Sequence, residues 1–149
     1  MIHRYINNDG VNFIKHFEGY KSTAYECAAG YKTIGYGHLI KKNESYDFLN
    51  LEEAEILLRK DIFISETAVL KYIRGDINDN QFSALVSFTY NLGACVLQRS
   101  TLRQKINYGS SIDEIAEEFM RWIFSGGRKI QGLFIRRHAE SMIYRSVVF

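Results

Sequence analysis

Apolar residues recur at helical spacing through most of the chain after residue 50. Asn50 and Glu53 stand three positions apart at the start of this region, which is the spacing of a capping box. The apolar positions that follow on one helical face are Ala54, Leu57, Leu58 and Ile62. This pattern predicts a long helix that begins just after Asn50.

The same signals recur twice more, and a final apolar segment closes the chain. Asn78–Gln81 predicts the start of a strongly apolar helix that ends near Gly93, and Ser111–Glu114 forms another capping box. A last helix is predicted from Leu133 to about Tyr144. Everything after residue 50 is therefore predicted to be helical.

The first fifty residues have a different pattern. A helix is predicted from Asp9, as its N-cap, to Glu18, because Gly19 is a natural residue just beyond a helix end. Its buried face is expected to hold Phe13, Ile14 and Phe17. The helix is therefore expected to end in a glutamate.

Aromatic and β-branched residues between Ala24 and His38 flank a short turn at Ala28–Gly30, which predicts a β-hairpin. Gly35 and Gly37 would weaken a central strand, but they allow the close approach of another backbone or a ligand. The predicted fold class is α+β and mostly α. One domain is expected over residues 1–149, with a small β-containing lobe at about 18–50 and a helical lobe at about 51–149 plus the N-terminal helix.

Composition narrows the class of protein. Apolar residues make up 46% of the 149-residue chain, which excludes a disordered chain. The net charge of +2 does not indicate a nucleic-acid binder. However, residues 95–149 hold nine Lys/Arg against five Asp/Glu, whereas residues 1–94 hold ten against twelve. A basic last third favours an anionic polymer such as bacterial cell wall, and an ordinary solvated helical surface is the alternative.

Cys27 and Cys95 are the only cysteines, and they are not expected to form a disulfide. Neither they nor the four histidines have metal-site spacing, so no metal and no cofactor are expected. The N-terminus lacks an apolar stretch of signal-peptide length, and no transmembrane stretch follows. We therefore expect a protein made soluble in the cytoplasm, without stable membrane insertion.

Glu18 is the main candidate for acid chemistry. Hydrolysis of a glycosidic bond needs a carboxylic acid that keeps its proton near neutral pH and a second group that activates water or stabilises the oxocarbenium ion. The unpaired carbonyl groups at a helix C-terminus disfavour a carboxylate, and Phe17 and Tyr20 flank the position. The alternative is an exposed glutamate at a helix end.

The spacing of Glu18, Cys27 and Thr33 resembles the catalytic signature of the phage-type lysozymes (endolysins, glycoside hydrolase family 24). In that family the middle position is Asp or, in some members, Cys. Further matches run in order from about residue 9 to 145, and include Thr33–His38, Gln81–Gly93, Ser100–Leu102, Phe119–Trp122, Gly126–Gly127 and Arg136–Glu140.

The resemblance implies a role for each matching residue. Glu18 is the general acid, and Thr33 positions the attacking water or the sugar. Arg137 orients Glu18 by a charged hydrogen bond, although the alignment also permits Arg136. His38 is expected to be structural, tying the hairpin to the helical lobe. Cys27 replaces the usual aspartate.

A thiol with its ordinary pKa is mostly neutral at pH 7, so the role of Cys27 stays open. Glu26 is a possible substitute carboxylate, but in an extended strand its side chain points to the face opposite Cys27.

The resemblance also implies hydrolysis of the β-1,4 bond between N-acetylmuramic acid and N-acetylglucosamine in peptidoglycan, with cell-wall lysis as the result. Two alternatives stay open: a lytic transglycosylase, which forms 1,6-anhydro products, and a non-catalytic peptidoglycan-binding protein. The expected partners are peptidoglycan glycan strands, with no nucleic acid. The chain is expected to be a monomer that reaches the wall, in the periplasm or beyond, through a membrane pore formed by a holin.

Overall fold

The computed structural model describes residues 2–147. In chain order its elements are α1 (Asn8–Glu18), β1 (Lys21–Glu26), β2 (Lys32–Gly35), β3 (His38–Leu39), α2 (Leu51–Tyr72), α3 (Asp79–Leu92), α4 (Ala94–Arg99), α5 (Thr101–Tyr108), α6 (Ile112–Phe119), β4 (Phe124–Ser125), β5 (Arg128–Lys129) and α7 (Gln131–Arg145). The fold is mostly helical with a small antiparallel sheet, which confirms the predicted α+β class.

The chain divides into two compact units. The sheet unit is Val11–Ile64, and the helical unit comprises the residues up to Gly10 together with those from Ser65 onward. The sheet unit is larger than a lobe of residues 18–50, because it includes most of α1 and the first part of α2. Among residues 2–147, no helix is long and apolar enough to cross a membrane.

The sheet unit is built on the order β1-β2-β3 with antiparallel pairing throughout. Thr33 lies opposite Tyr25 on one side and Leu39 on the other, so β2 is the central strand. The buried apolar side chains of this unit come from α1, the sheet and α2, and are Val11, Ile14, Ile34, Tyr36, Leu49, Ala54, Leu58 and Ile62. They form the core on which the sheet is held.

The helical unit is centred on α3, which packs against α7 and α4. Every residue of α3 from Gln81 to Thr89 is buried, so this helix is surrounded by protein. Its start is the predicted capping box, in which Asn78 and Gln81 bond each other's backbone N–H groups. The Ser111–Glu114 capping box is also present at the start of α6.

Two local predictions need correction. The cap of α1 is Asn7 and not Asp9, because the Asn7 Oδ1 atom accepts a hydrogen bond from Gly10 N at 2.8 Å and the helix begins at Asn8. The chain after residue 50 is not all helical, since Phe124–Ser125 and Arg128–Lys129 form a short hairpin. Strands of two exposed residues bury no face, and therefore leave no alternating pattern in the sequence.

Candidate active site

Glu18, Cys27 and Thr33 all belong to the sheet unit, and the helix or strand in or beside which each residue lies sets its position. Glu18 is the last residue of α1, and the helix stops there because Gly19 adopts a φ of 70° and donates its N–H to Lys15 O at 2.9 Å. Cys27 directly follows β1, and Thr33 lies in β2. The predicted end of α1 is confirmed.

The turn between β1 and β2 fixes Cys27. The N–H of Cys27 donates to Tyr31 O at 2.9 Å, and its carbonyl accepts from Gly30 N at 2.8 Å. Glu26 pairs with Lys32, so the hairpin closes around the predicted turn. Cys27 is therefore held at the base of this turn.

Backbone N–H groups of this turn act on the Cys27 sulfur. Hydrogen bonds from the backbone of Tyr31 and then of Ala29 lower the pKa of the thiol, against a smaller effect of burial, and the Thr33 hydroxyl lowers it further. The side chains of Cys27 and Thr33 are thus brought together. The pKa shift favours the thiolate, which is the form that can act as a base or stabilise positive charge.

Thr33 itself is buried, with 2% of its surface exposed. Its Oγ1 donates to Tyr31 O at 3.1 Å. The single hydroxyl proton can go either to this carbonyl or to the Cys27 sulfur, so Thr33 can change its hydrogen-bond partner without moving its backbone.

Gly37 lies against the Glu18 carboxylate. A Cβ atom on Gly37 would stand 3.1 Å from Glu18 Oε2, and the φ of Gly37 is 84°. The sequence predicted the close approach of another backbone or a ligand, whereas the group that approaches Gly37 is the Glu18 side chain. Gly35 differs, since a Cβ there would meet Ala54 and Leu49 at 3.5 Å.

The end of α1 is held to the rest of the sheet unit by three contacts that the sequence did not reveal. The Tyr20 hydroxyl donates to Leu49 O, and its ring packs against Tyr36 with centroids 5.7 Å apart. Lys15 forms an ion pair with Glu55 on α2. The two residues of each contact are far apart in the sequence, so no local pattern indicated these contacts.

His38 is buried between two carboxylates. Its Nδ1 atom lies 2.7 Å from Asp61 Oδ2 on α2, and its Nε2 atom lies 2.8 Å from Glu44 Oε2. Burial lowers the pKa of His38, but the hydrogen bonds of Glu44 and Asp61 outweigh it and raise the pKa overall. These contacts join β3 to α2 and support the structural role expected for His38.

Arg136 and Arg137 belong to a buried network in the helical unit. Arg137 donates to Glu140, to Asn91 Oδ1 and, at 3.2 Å, to Trp122 O. Arg136 Nε donates to Glu140 Oε1 at 3.3 Å, and Ser87 donates to the same oxygen at 2.7 Å. Arg137 and Glu140 have no exposed surface.

Burial raises the pKa of Glu140 and lowers that of Arg137, and their attraction opposes both shifts. The orientation of Glu18 by one of the two arginines stays a prediction.

Both cysteines are free thiols. Within residues 2–147, no three His, Cys, Asp or Glu side chains form a group that could hold a metal ion.

Solved structures share this fold. The endolysin from Escherichia coli O157:H7 phage FAHEc1 superposes with a TM-score of 0.88 and 35% identity, over 99% of this chain and 98% of that one. The muramidase domain of SpmX from Asticaccaulis excentricus gives a TM-score of 0.87 and 30% identity, over 97% and 99% of the two chains. The fold is therefore of the lysozyme type.

Sequence comparison defines the family. Residues 15–140 match the phage lysozyme family. The endolysin of Bacillus phage B103 is 40% identical over 141 residues, which cover 93% of this chain. The chain belongs to the phage lysozyme family. It spans about half the length of that endolysin, 53% of which is matched.

The His38 cluster predicts a dependence of stability on pH. Because the folded-state pKa of His38 is raised, its contribution is complete below its ordinary pKa of 6.5 and is lost as the pH rises through the folded-state pKa. Hydrogen bonds from Lys41 N–H and then His38 lower the pKa of Glu44, so its contribution is complete above its ordinary pKa of 4.5 and is lost at lower pH.

The free energy of unfolding of His38→Asn should therefore fall furthest below that of the wild type between these two pH values. Denaturant titrations from pH 3 to 10 measure the difference, with the exposed His16→Asn as control. A difference that stays constant across this range would contradict the assignment.

Proposed function

We propose that this chain hydrolyses the β-1,4 bond between N-acetylmuramic acid and N-acetylglucosamine in bacterial peptidoglycan. The observation that carries the proposal is the arrangement of the sheet unit. A glutamic acid at a helix end lies against the Gly37 backbone, and an adjacent hairpin holds Cys27 and Thr33 together. Membership of the phage lysozyme family, and the names endolysin and muramidase carried by its relatives, support the same reaction.

In the proposed mechanism, Glu18 is the general acid. It donates its proton to the glycosidic oxygen as the bond to the anomeric carbon of N-acetylmuramic acid breaks. Water then adds to that carbon and gives up one proton, so the products are a reducing N-acetylmuramic acid end and a free hydroxyl on N-acetylglucosamine. Glu18 regains its proton from solvent before the next cycle.

Thr33 and Cys27 act on the attacking water and on the positive charge of the oxocarbenium ion. The Thr33 hydroxyl orients the attacking water, because it can exchange its Tyr31 carbonyl partner for another acceptor. The Cys27 thiolate accepts the proton of that water or stabilises the oxocarbenium ion. The N–H groups of Tyr31 and Ala29 favour that ionised form, which compensates for the missing aspartate.

We propose peptidoglycan glycan strands as the substrate. Four further points stay predictions: release to the wall through a holin pore, origin in the cytoplasm, a monomeric state, and the orientation of Glu18 by Arg137. The exposed Glu26, opposite Lys32 at the end of β1, is not assigned a catalytic role.

Product analysis tests the reaction. Purified peptidoglycan is digested with the wild type, Glu18→Gln, Cys27→Ala and, as matched control, Glu26→Gln, and the products are read by mass spectrometry. We expect reducing muramic acid ends from the wild type and from Glu26→Gln. Glu18→Gln and Cys27→Ala should lose activity by about 10²-fold or more, since each lacks an acid–base group.

Three outcomes would count against the proposal. Full activity of Glu18→Gln rejects the catalytic role of Glu18, and no cleavage by the wild type leaves a wall-binding protein. Products with 1,6-anhydro ends assign the chain to the lytic transglycosylase reaction instead.

The pH dependence of kcat/KM tests the thiolate. If Cys27 acts as an anion, the acid limb of the kcat/KM profile follows the ionisation of its thiol. The pKa of Cys27 is lowered from its ordinary value of 9.0, so this limb lies at a lower pH than that value. Cys27→Asp should move the limb to lower pH and retain activity, because a carboxylate ionises more readily. Cys27→Ser, which keeps the size but does not ionise, should be inactive across the range. Equal activity of Cys27→Ser and the wild type excludes an anionic role.

Gly37→Ala tests the placement of Glu18. The new Cβ would stand 3.1 Å from Oε2 and displace the carboxylate by a few tenths of an ångström, which should lower kcat by about tenfold. Gly35→Ala is the matched control, because its φ of 66° imposes similar backbone strain while its Cβ meets only Ala54 and Leu49. An equal loss of kcat in both variants would mean that backbone strain, and not the position of Glu18, is responsible.

A further inference from the structure

Lys15 lies in the last turn of α1, three residues before Glu18. Its carbonyl accepts the N–H of Gly19 at 2.9 Å, and a cation in this turn stabilises the partial negative charge of the helix end. Side chains three positions apart are neighbours on a helix surface, and opposite charges at this spacing attract each other. The charge that stabilises the end of α1 therefore belongs to a neighbour of Glu18 on the helix surface.

A cation next to Glu18 conflicts with the proposed role of this residue. A positive charge nearby favours the ionised form of a carboxyl group, whereas a general acid must keep its proton until it reaches the glycosidic oxygen. An ammonium group that paired with Glu18 would lower the fraction of molecules that carry this proton. The proposed reaction is therefore favoured when the charge of Lys15 is engaged elsewhere.

The structure engages Lys15 on α2. The Lys15 ammonium forms an ion pair with Glu55 Oε2 and lies 5.5 Å from the centre of the Tyr36 ring. The Lys15 side chain keeps 21% of its surface exposed, so most of it is covered by protein. The ammonium is thus held by a carboxylate of the neighbouring helix and by an aromatic face.

Glu55 is itself held in place by the next turn of α2. Arg59 donates to Glu55 Oε1 from Nε at 3.1 Å and from a terminal nitrogen at 2.9 Å, whereas Oε2 accepts from Lys15. Hydrogen bonds from Lys15 and then from Arg59 lower the pKa of Glu55, against a smaller effect of burial. Glu55 is therefore an oriented carboxylate that is ionised at neutral pH.

Other ionisable groups of the sheet unit are poorly suited to take over this role. Tyr20 and Tyr36 pack on each other with ring centroids 5.7 Å apart, and a phenol carries no charge at neutral pH. The carboxylates of Glu44 and Asp61 are bound to His38. The negative charge that balances the Lys15 ammonium is therefore that of Glu55.

Four further ionisable groups belong to the surroundings of the acid or to its proposed mechanism. His16 on α1 and Lys21 on β1 are exposed, Cys27 follows β1, and Arg137 is the predicted partner of Glu18. All four are the same in every variant compared below. They therefore do not account for a difference between these variants.

We propose that Glu55 is a positioning residue for the general acid. By holding the Lys15 ammonium on α2, it keeps a positive charge from pairing with Glu18 and so preserves the proton that Glu18 donates. This inference rests on the proposed function, in which Glu18 is the acid, and extends it to two side chains that act through that acid.

The profile of kcat/KM against pH tests the proposal. Glu55→Gln frees the Lys15 ammonium while keeping the size of the side chain at position 55. On the alkaline side kcat/KM should fall by about tenfold, because a shift of about one pH unit in the ionisation of Glu18 changes its protonated fraction by that factor. On the acid side, where the Glu18 carboxyl group is protonated in both proteins, kcat/KM should be unchanged.

A second variant shows whether the freed charge is the cause. The double variant Lys15→Met/Glu55→Gln lacks the ammonium and should restore kcat/KM on the alkaline side to the wild-type value. Glu52→Gln, which removes an exposed carboxylate from the first turn of the same helix, is the matched control and should follow the wild type at every pH. Thermal unfolding of each variant measures its stability separately.

The ionisation of Glu18 is also measured without substrate. The NMR signal of its side-chain carboxyl carbon is identified by its absence from Glu18→Gln and is followed as the pH is changed. The midpoint of this titration should fall by about one pH unit in Glu55→Gln and return in the double variant.

Other outcomes overturn the inference. An equal loss of kcat/KM at every pH, or a loss that Lys15→Met does not restore, assigns Glu55 a structural role only. An unchanged midpoint in Glu55→Gln means that the ammonium does not act on Glu18. Failure of the wild type to cleave peptidoglycan rejects the proposed function itself, and the NMR titration still decides whether Glu55 controls the charge beside Glu18.

Discussion

The approach of the Glu18 carboxylate to Gly37 is the constraint on which the candidate site depends. A Cβ atom at position 37 would stand 3.1 Å from Glu18 Oε2 and displace the carboxylate slightly, and the φ of 84° would strain any residue other than glycine. The acid lies there because α1 ends at Glu18, where Gly19 turns the chain, and because the turn after β2 is held in place. That turn is fixed by the contacts of Tyr36 and His38 on either side of it.

The hairpin between Cys27 and Thr33 favours an ionised side chain at position 27. The turn directs backbone N–H groups of Ala29 and Tyr31 to the side chain at position 27, and these donors favour an anion. An aspartate would be ionised there without help. A cysteine needs that help, and the backbone provides it without any change in the turn.

The helical unit is organised by a different interaction. Glu140 accepts hydrogen bonds from Arg136, Arg137 and Ser87, and this joins α7 to α3 through charges that have almost no contact with solvent. Buried charges cost desolvation free energy, so such a network adds less stability than apolar packing. The charged residues of the network all lie on α7, so its link to α3 consists of the hydrogen bonds with Ser87 and Asn91.

Sequence by itself determined much of this protein. Local signals placed the end of α1 at Glu18 and Gly19, the first hairpin, and the capping boxes at Asn78 and Ser111, because each depends on residues within a few positions of one another. The family also followed from the sequence, since its motifs recur in order along the chain.

Tertiary structure decided the rest. Asp61 and Glu18, the neighbours of His38 and Gly37, are distant from them in the sequence, and β4 and β5 are too short to leave a pattern. The direction of the Cys27 pKa shift was open for another reason: its donors are near in the sequence, but only the folded turn brings them to the sulfur.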